Sequence, residues 1–194
     1  MTNTTPEELP RDLQTVFLDR DGVLNQKMPE GQYVTSLDEF HVLPLVPESI
    51  AMLNRAGLRV IVVSNQRGIA LGLYSSADVE AIHADFQHQL SAHGAHIDAF
   101  FICPHHHGQC NCRKPLPGLF DQAVTRFPSI SAQTSVMIGD SLVDVEFGRR
   151  LGMATILING NPELQKPADQ SASGLASPRF ASLHQAVSAL LANR

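Results

Sequence analysis

Short apolar runs rich in β-branched residues alternate along the chain with longer segments in which apolar residues recur every three or four positions. The short runs lie at residues 15–18, 59–63, 99–102, 135–138 and 154–158. The longer segments lie at residues 47–56, 75–93, 116–127, 142–151 and 180–192. The first pattern is typical of buried strands and the second of amphipathic helices. Their alternation predicts an α/β fold, a three-layer α/β/α doubly wound parallel sheet.

The length and composition of the chain predict one domain spanning residues 1–194. A chain of 194 residues that is 43% hydrophobic can bury one good core. Residues 1–13 are expected to form a polar N-terminal tail. Residues 161–179, rich in Pro, Ser, Ala and Gly, lack periodicity and are expected to be an irregular connection before the last helix.

The charge and composition of the chain argue against two classes of binding partner, nucleic acids and membranes. A net charge of −5 without basic clusters argues against a nucleic-acid surface. No segment approaches the roughly 20 apolar residues of a membrane span, and the polar start of the chain does not resemble a signal peptide. We therefore expect a cytoplasmic protein, and a monomer by default.

The stretch FLDRDGVLN places two carboxylates at the end of the first strand. Asp19 and Asp21 are two positions apart, so in an extended chain they share one face. Arg20 points away from that face and is expected to be solvated. Paired carboxylates repel unless a cation lies between them or one is protonated, so the pair indicates a hard metal ion, divided acid and nucleophile roles, or both.

Polar groups suited to a phosphate and a divalent cation also follow the other strands. The sequence SNQR follows the second strand, Arg113 and Lys114 follow the third, and GDSLVD follows the fourth. The oxygen ligands that Mg²⁺ prefers are available from Asp19, Asp21 and Asp140. Ser64 and Lys114 can neutralise phosphoryl oxygens. Arg67 is a candidate contact for a second anionic group.

The segment CPHHHGQCNCRKP carries a second candidate metal site. Three thiols and one imidazole within ten residues make the tetrahedral ligand set of a structural zinc site, from Cys103, His105, Cys110 and Cys112. His106 or His107 can replace His105 on spacing alone. Free core cysteines beside a histidine-rich loop are the alternative. Zinc would fix the two residues that follow, Arg113 and Lys114, against the phosphate.

Taken in order, the motifs DRDG, SN, Lys114 and GDSLVD resemble the haloacid dehalogenase (HAD) superfamily of phosphohydrolases. The resemblance implies that Asp19 is the nucleophile and forms an aspartyl-phosphate, and that Asp21 is the general acid and base. It also implies that Asp19, Asp140 and the backbone carbonyl of Asp21 bind Mg²⁺. Ser64 and Lys114 would grip the phosphoryl group, and Asp144 would support the metal or Lys114.

The zinc-type segment narrows the resemblance to a small subgroup without a large cap domain. This subgroup contains the D-glycero-D-manno-heptose 1,7-bisphosphate 7-phosphatases and the histidinol-phosphatase domain. The motifs SNQRGIA and QYV look more like the heptose enzymes, which implies substrate contacts from Tyr33, Asn65, Gln66, Arg67 and Arg113. The short stretch between His105 and Cys110, and Leu71 in place of a common arginine, depart from that pattern.

The sequence is also compatible with other functions. Histidinol phosphate or another small phosphometabolite is the alternative substrate. A phosphoacceptor module, or a zinc-stabilised binding module with a vestigial site, is the alternative without turnover. The histidines at positions 83, 88, 93 and 96 lie along or just after one predicted helix and are expected to be surface or boundary residues rather than ligands.

Overall fold

A computed structural model of the chain describes residues 9–10, 12–159 and 177–192. Its centre is a sheet of parallel strands in the order β3-β2-β1-β4-β5-β6. The strands are β1 Thr15–Leu18, β2 Arg59–Asn65, β3 Ala99–Cys103, β4 Ser135–Gly139, β5 Ala154–Ile158 and β6 Arg179–Phe180. The parallel α/β prediction is therefore confirmed.

Helices connect the strands. They are α1 Val46–Arg55, α2 Ser76–Ser91, α3 Gly118–Arg126, α4 Leu142–Leu151 and α5 Leu183–Ala192, with short 3-10 helices at Leu37–Glu39 and Ala132–Thr134. Local chemistry sets some of their ends. The side chains of Ser75 and Asp78 form a reciprocal capping box at the start of α2. Gly152, with φ +79°, ends α4 in the left-handed conformation that favours glycine.

Two hydrophobic cores cover the two faces of the sheet. Alternate residues of β1 explain the division, because Val16 and Leu18 belong to one core and Phe17 to the other. The first core includes apolar residues of α1, α2 and α5. The second includes residues of α3 and α4, such as Leu119 and Phe147. Apolar residues thus cover both faces of the sheet, as is usual for a parallel sheet.

The sheet order reverses at β1, whose neighbours are β2 and β4. In open parallel sheets this reversal opens a crevice at the carboxyl ends of the strands, where ligands bind. Asp19 follows directly after β1 and therefore lies at that crevice. The segment between β1 and α1 is described throughout, and the 3-10 turn Leu37–Glu39 is its only helix, so no cap domain is inserted there.

Several expectations need correction. The last helix begins at Leu183 rather than at residue 180, because Arg179 and Phe180 pair with β5 as a two-residue strand too short to show periodicity. Leu13 is buried, so the polar tail ends before it. His83 is buried and stacks on the Phe100 ring at 4.2 Å, rather than lying at the surface.

Most of the expected tail and connection, residues 1–8, 11 and 160–176, lies outside the described residues. Within the described ranges, no helix combines the length and apolar character needed to cross a bilayer.

Candidate active site

The carboxyl ends of β1, β2 and β4 meet at a cleft of about 420 Å³. Its lining comes from the segment that follows β1, from the end of β2 and the residues after it, and from the segments after β3 and β4. The structure brings most of the predicted site residues to this cleft: Asp19, Asp21, Tyr33, Ser64, Asn65, Gln66, Arg67, Arg113, Lys114, Asp140 and Asp144. These residues are far apart in the chain, and the parallel sheet alone brings them together.

Lys114 is buried at the base of the cleft and is held by three acceptors. Its Nζ donates to Asp19 Oδ1 at 2.8 Å, to Asp144 Oδ1 at 2.6 Å and to the carbonyl oxygen of Val63 at 2.7 Å. Burial favours the neutral amine, but the carboxylates of Asp144 and Asp19 outweigh it and raise the pKa of Lys114. The residue therefore presents a fixed positive charge beside the Asp19 carboxylate.

Asp144 is held in place by groups behind the cleft. Besides Lys114, its carboxylate accepts from the Ser141 hydroxyl at 2.6 Å and from the Ser141 amide at 3.2 Å, at the start of α4. Gly139 leaves room for this side chain, since an added Cβ would lie 2.2 Å from the Cβ of Asp144. The glycine and the aspartate of GDSLVD are thus required by the same contact.

Three carboxylates converge closely enough to share a cation. Oxygens of Asp19, Asp140 and Asp144 lie within 4.8 Å of one another. Burial, helped by mutual repulsion, raises the pKa of Asp19 to about 6 and that of Asp140 to about 7. Oδ1 of Asp140 is buried and has no hydrogen-bond partner among the described residues. The cluster carries more negative charge than its surroundings neutralise.

Lys27 is a site residue that the sequence did not indicate. Its Nζ lies 2.5 Å from Asp140 Oδ2, and this pairing raises the pKa of Lys27 although burial opposes it. Lys27 belongs to the segment after β1, which matches no motif at this position. Only the return of that segment over the cleft brings Lys27 to Asp140.

Gly22 is required where the first motif passes Asp140. Its φ is +93°, and an added Cβ would lie 2.3 Å from Asp140 Oδ2. A side chain here would be both strained and in collision with the carboxylate. The glycine of DRDG therefore allows the backbone after Asp21 to approach Asp140 closely.

Asp21 is surrounded by hydrogen-bond donors. Its Oδ1 accepts from Arg20 and Asn25, and its Oδ2 accepts from Gln66. Burial alone would raise the pKa of Asp21, but the Arg20 charge and these hydrogen bonds lower it. The expectation that Arg20 is solvated is wrong: the residue is 1% exposed, and its guanidinium turns back to the neighbouring carboxylate.

The side-chain amides of the last residue of β2, Asn65, and of the residue after it, Gln66, hydrogen-bond to protein groups. Asn65 forms two hydrogen bonds with the backbone of Lys114, donating to its carbonyl at 3.1 Å and accepting from its amide at 3.0 Å. Gln66 is buried and donates to Ser64 and Asp21. Asn65 thus links β2 to the lysine segment.

Two arginines also line the cleft. Nε of Arg67 and Nη1 of Arg113 are buried without a hydrogen-bond partner among the described residues. Unpaired guanidinium donors beside a cleft can bind an anionic group of a ligand.

The predicted zinc ligands converge on one point. The Nδ1 atom of His105 lies 3.3 Å from Cys112 Sγ and 3.8 Å from Cys103 Sγ, and Cys110 Sγ lies 3.5 Å from Cys103 Sγ and 3.3 Å from Cys112 Sγ. These are the edge lengths of a tetrahedron with metal bonds of about 2.0–2.3 Å. Burial and the neighbouring thiols raise the pKa of Cys112, as expected where thiols are crowded without a cation.

The neighbouring histidines lie elsewhere. Nε2 of His106 lies 3.2 Å from an Arg67 nitrogen, and His107 lines the cleft. The ring nitrogen within reach of the three sulfurs therefore belongs to His105.

Comparisons with known proteins agree with this geometry. A family model described as HAD-hydrolase-like matches residues 111–176. A D-glycero-alpha-D-manno-heptose-1,7-bisphosphate 7-phosphatase of Mycobacterium bovis is 38% identical over 87% of this chain and 86% of its own. A D-glycero-beta-D-manno-heptose-1,7-bisphosphate 7-phosphatase of Bordetella bronchiseptica is 37% identical over 75% of this chain and 80% of its own.

Solved structures give the same result. The D,D-heptose 1,7-bisphosphate phosphatase of B. bronchiseptica, complexed with magnesium and phosphate, superposes with a TM-score of 0.84 at 32% identity, covering 94% of this chain and 100% of that one. The resemblance that the four motifs indicated is confirmed. The chain belongs to the HAD-like hydrolases and is a phosphatase of the heptose-1,7-bisphosphate 7-phosphatase family.

Proposed function

We propose that this protein is a Mg²⁺-dependent phosphatase that removes the 7-phosphate of D-glycero-D-manno-heptose 1,7-bisphosphate. The observation that carries the proposal is the buried contact between Asp19 and Lys114 at the end of β1, with Asp140 beside it. The names of the relatives supply the substrate.

The residues of the cleft fit Mg²⁺. The three carboxylates, the unpartnered oxygen of Asp140 and the raised pKa values of Asp19 and Asp140 all indicate a missing positive charge. We assign the ion to Asp19, Asp140 and the backbone carbonyl of Asp21, with Asp144 holding Lys114 behind them. When bound, Mg²⁺ would withdraw charge from the phosphoryl oxygens and reduce their repulsion of a carboxylate nucleophile.

The reaction then has two displacements at phosphorus. In the first, an Asp19 oxygen forms a bond to phosphorus while the bond to the sugar oxygen breaks. Asp21, which takes up a proton when the phosphate dianion binds beside it, delivers that proton to the leaving sugar oxygen. In the second, Asp21 takes a proton from a water molecule whose oxygen bonds to phosphorus, and the bond to Asp19 breaks. Lys114 and the Ser64 hydroxyl bind the phosphoryl oxygens during both displacements.

The second phosphate of the substrate accounts for the arginines. Arg67 and Arg113 line the same cleft as the catalytic carboxylates and have buried donors without partners among the described residues. We assign them to the phosphate that is not hydrolysed, and Tyr33, which also lines the cleft, to the sugar. A monophosphate lacking the second anion would forgo these contacts.

We propose that Cys103, His105, Cys110 and Cys112 bind a structural Zn²⁺. A closed set of four ligands leaves no open position for catalysis, so the ion would act by holding the loop that ends at Arg113 and Lys114. Thiolate ligands require reduced cysteines, which suits the cytoplasm. We also propose a monomer composed of one domain.

The function is tested by measuring phosphate release in the presence of Mg²⁺. The α and β anomers of the heptose bisphosphate and histidinol phosphate are compared by kcat/KM, with Asp19→Asn protein as the control for contaminating phosphatases. A preference for either bisphosphate above about 10²-fold supports the assignment. A preference for histidinol phosphate, or no release from any ester, contradicts it.

A further inference from the structure

Gln66 lies at the wall of the cleft, but its side-chain amide is bound to protein groups at both ends. Its Nε2 donates to Asp21 Oδ2 at 3.0 Å and to Ser64 Oγ at 2.8 Å. Its Oε1 accepts from the Tyr74 hydroxyl at 2.7 Å. An amide nitrogen carries two donors, and both are used here. Gln66 is 2% exposed, so little of the residue is available to a substrate.

The orientation of this amide is determined by its partners. An ionised carboxylate only accepts hydrogen bonds, so the end of Gln66 that faces Asp21 must be the nitrogen. The oxygen then faces Tyr74, whose hydroxyl must donate. Burial raises the pKa of Tyr74 to about 12, so the hydroxyl keeps its proton at neutral pH. A buried tyrosine outside the cleft thus sets the direction in which Gln66 donates.

Arg20 and Asn25 hold the other oxygen of Asp21. The Arg20 nitrogens lie 2.8 and 3.2 Å from Oδ1, and the Asn25 amide nitrogen lies 3.0 Å from it. Arg20 is 1% exposed and packs over the Phe40 ring. We call Arg20, Asn25 and Gln66 the carboxylate clamp. Because it holds both oxygens, the Asp21 carboxylate cannot rotate without breaking buried hydrogen bonds.

We propose that Gln66, oriented by Tyr74, is a positioning residue for proton transfer by Asp21 and not a substrate-binding residue. This inference rests on the proposed function, in which Asp21 gives a proton to the leaving oxygen. It replaces the sequence-based assignment of Gln66 to the substrate. Tyr74 acts through Gln66, so it is also a positioning residue.

The two assignments of Gln66 predict different kinetics. A misplaced general acid slows the departure of poor leaving groups, such as the alkoxide of a sugar, because they need a proton as the bond to phosphorus breaks. A nitrophenolate leaves without that proton. A lost substrate contact would instead raise KM for the sugar phosphate and leave its kcat unchanged.

The experiment compares kcat/KM for the heptose 1,7-bisphosphate and for p-nitrophenyl phosphate with Mg²⁺ present. The value of kcat/KM depends only on the steps up to the departure of the leaving group, so the later hydrolysis of the phosphoenzyme does not affect it. The variants are Gln66→Leu and Tyr74→Phe. Ser135→Ala is the matched control, since it removes the buried Ser135 hydroxyl, which donates to the Ser131 carbonyl at the other end of the sheet.

We expect Gln66→Leu to lower kcat/KM for the bisphosphate by roughly 10–100-fold, mostly through kcat, and Tyr74→Phe to lower it by roughly 3–10-fold. Activity on the nitrophenyl ester should stay within about twofold for both variants, and Ser135→Ala should behave as wild type on both esters. Thermal unfolding checks that each variant is folded, and Tyr74→Phe keeps the test available if Gln66→Leu does not fold.

Equal losses on the two esters, or a rise in KM alone, would overturn the inference while leaving the phosphatase assignment standing. Wild-type protein that releases phosphate from neither ester would contradict the proposed function itself. The two failures are therefore distinguishable in one experiment.

Discussion

The carboxylates of Asp19, Asp140 and Asp144 lie close together in the cleft. Lys114 forms ion pairs with Asp19 and Asp144, and Lys27 forms one with Asp140. Burial raises the pKa of Asp19 and Asp140, which means that the folded chain holds their ionised forms at a cost in stability. A site arranged in this way is unfavourable by itself and becomes favourable when a cation binds. Single substitutions in it should separate activity from stability.

Asp19→Asn should abolish turnover and stabilise the metal-free protein. The pKa of Asp19 is about 6 against an ordinary value of 3.8. A folded pKa above the unfolded one contributes stability at low pH that is lost as the pH rises through the folded value, so at pH 7.5 the ionised group costs up to about 3 kcal/mol. Denaturant unfolding with a chelator present measures the difference. A destabilised variant would show that the Lys114 contact dominates instead.

Lys27→Met should tighten Mg²⁺ binding by roughly threefold to tenfold, because an ammonium that pairs with Asp140 competes with an incoming cation. Calorimetric titration of the substrate-free protein measures the affinity without depending on turnover. Arg126→Met, which removes a cation on α3, is the control and should leave the affinity unchanged. Weaker binding in the Lys27 variant would indicate that the lysine assists the ion.

At the scale of elements, residues 104–114 join the end of β3 to Lys114 and contain no helix or strand. The contacts that hold this segment include the cluster of three sulfurs and one imidazole, and the pair of hydrogen bonds between the Asn65 side chain and the Lys114 backbone. Removal of one of these contacts should therefore be transmitted to Lys114.

Cys112→Ser should lose zinc, lower the unfolding midpoint by roughly 5–15 °C and reduce turnover, because a metal-bound loop contributes its binding free energy to folding. Metal analysis of the purified protein gives the zinc content, and thermal scans give the stability. His106→Ala is the control and should keep its zinc, since His106 lies outside the ligand cluster. Native protein without zinc would contradict the proposed site.

At the scale of the whole molecule, two apolar cores enclose the sheet, and a few titratable groups are buried with them. His83, on α2, packs on Phe100 of β3, and its Nε2 has no hydrogen-bond partner among the described residues. Burial, helped by the nearby Arg20 charge, lowers the pKa of His83 to about 3. The unfolded chain takes up a proton that the folded chain excludes, so this residue ties global stability to pH.

His83→Leu should reduce the loss of stability in acid. With a folded pKa of about 3 and an unfolded value of 6.5, the His83 contribution is intact above pH 6.5 and declines as the pH falls toward 3. At pH 5 the expected loss is about 2 kcal/mol. Denaturant unfolding of wild type and variant is measured at pH 7.5 and at pH 5. The His83 contribution is the difference between the two proteins in how much free energy of unfolding each loses between these pH values. His88→Leu, at an exposed position of the same helix, is the control for replacing a histidine of α2 with leucine.

Much of the fold was predictable because its signals are local. The four-residue run of β1 and the ten-residue pattern of α4 appear in the structure with the expected bounds. Their hydrophobic patterns lie within one short stretch of consecutive residues and can be recognised without knowledge of the rest of the fold. The short strand β6 escaped prediction because two residues carry no periodicity. Its pairing with β5 is a property of the assembled sheet.

The carboxylates, the lysine and the thiols of the site, and the strand ends at which they lie, could all be identified from the sequence. The pairing of those groups depends on the folded chain. Arg20 turned from the expected solvent to Asp21, Lys27 reached Asp140 across the cleft, and Gln66 donated to Asp21 instead of remaining open to a substrate. The physical reason is that a side chain's type and strand position follow from local sequence. Its partners depend on which segments of the chain come together when apolar side chains are buried and buried charges must be paired.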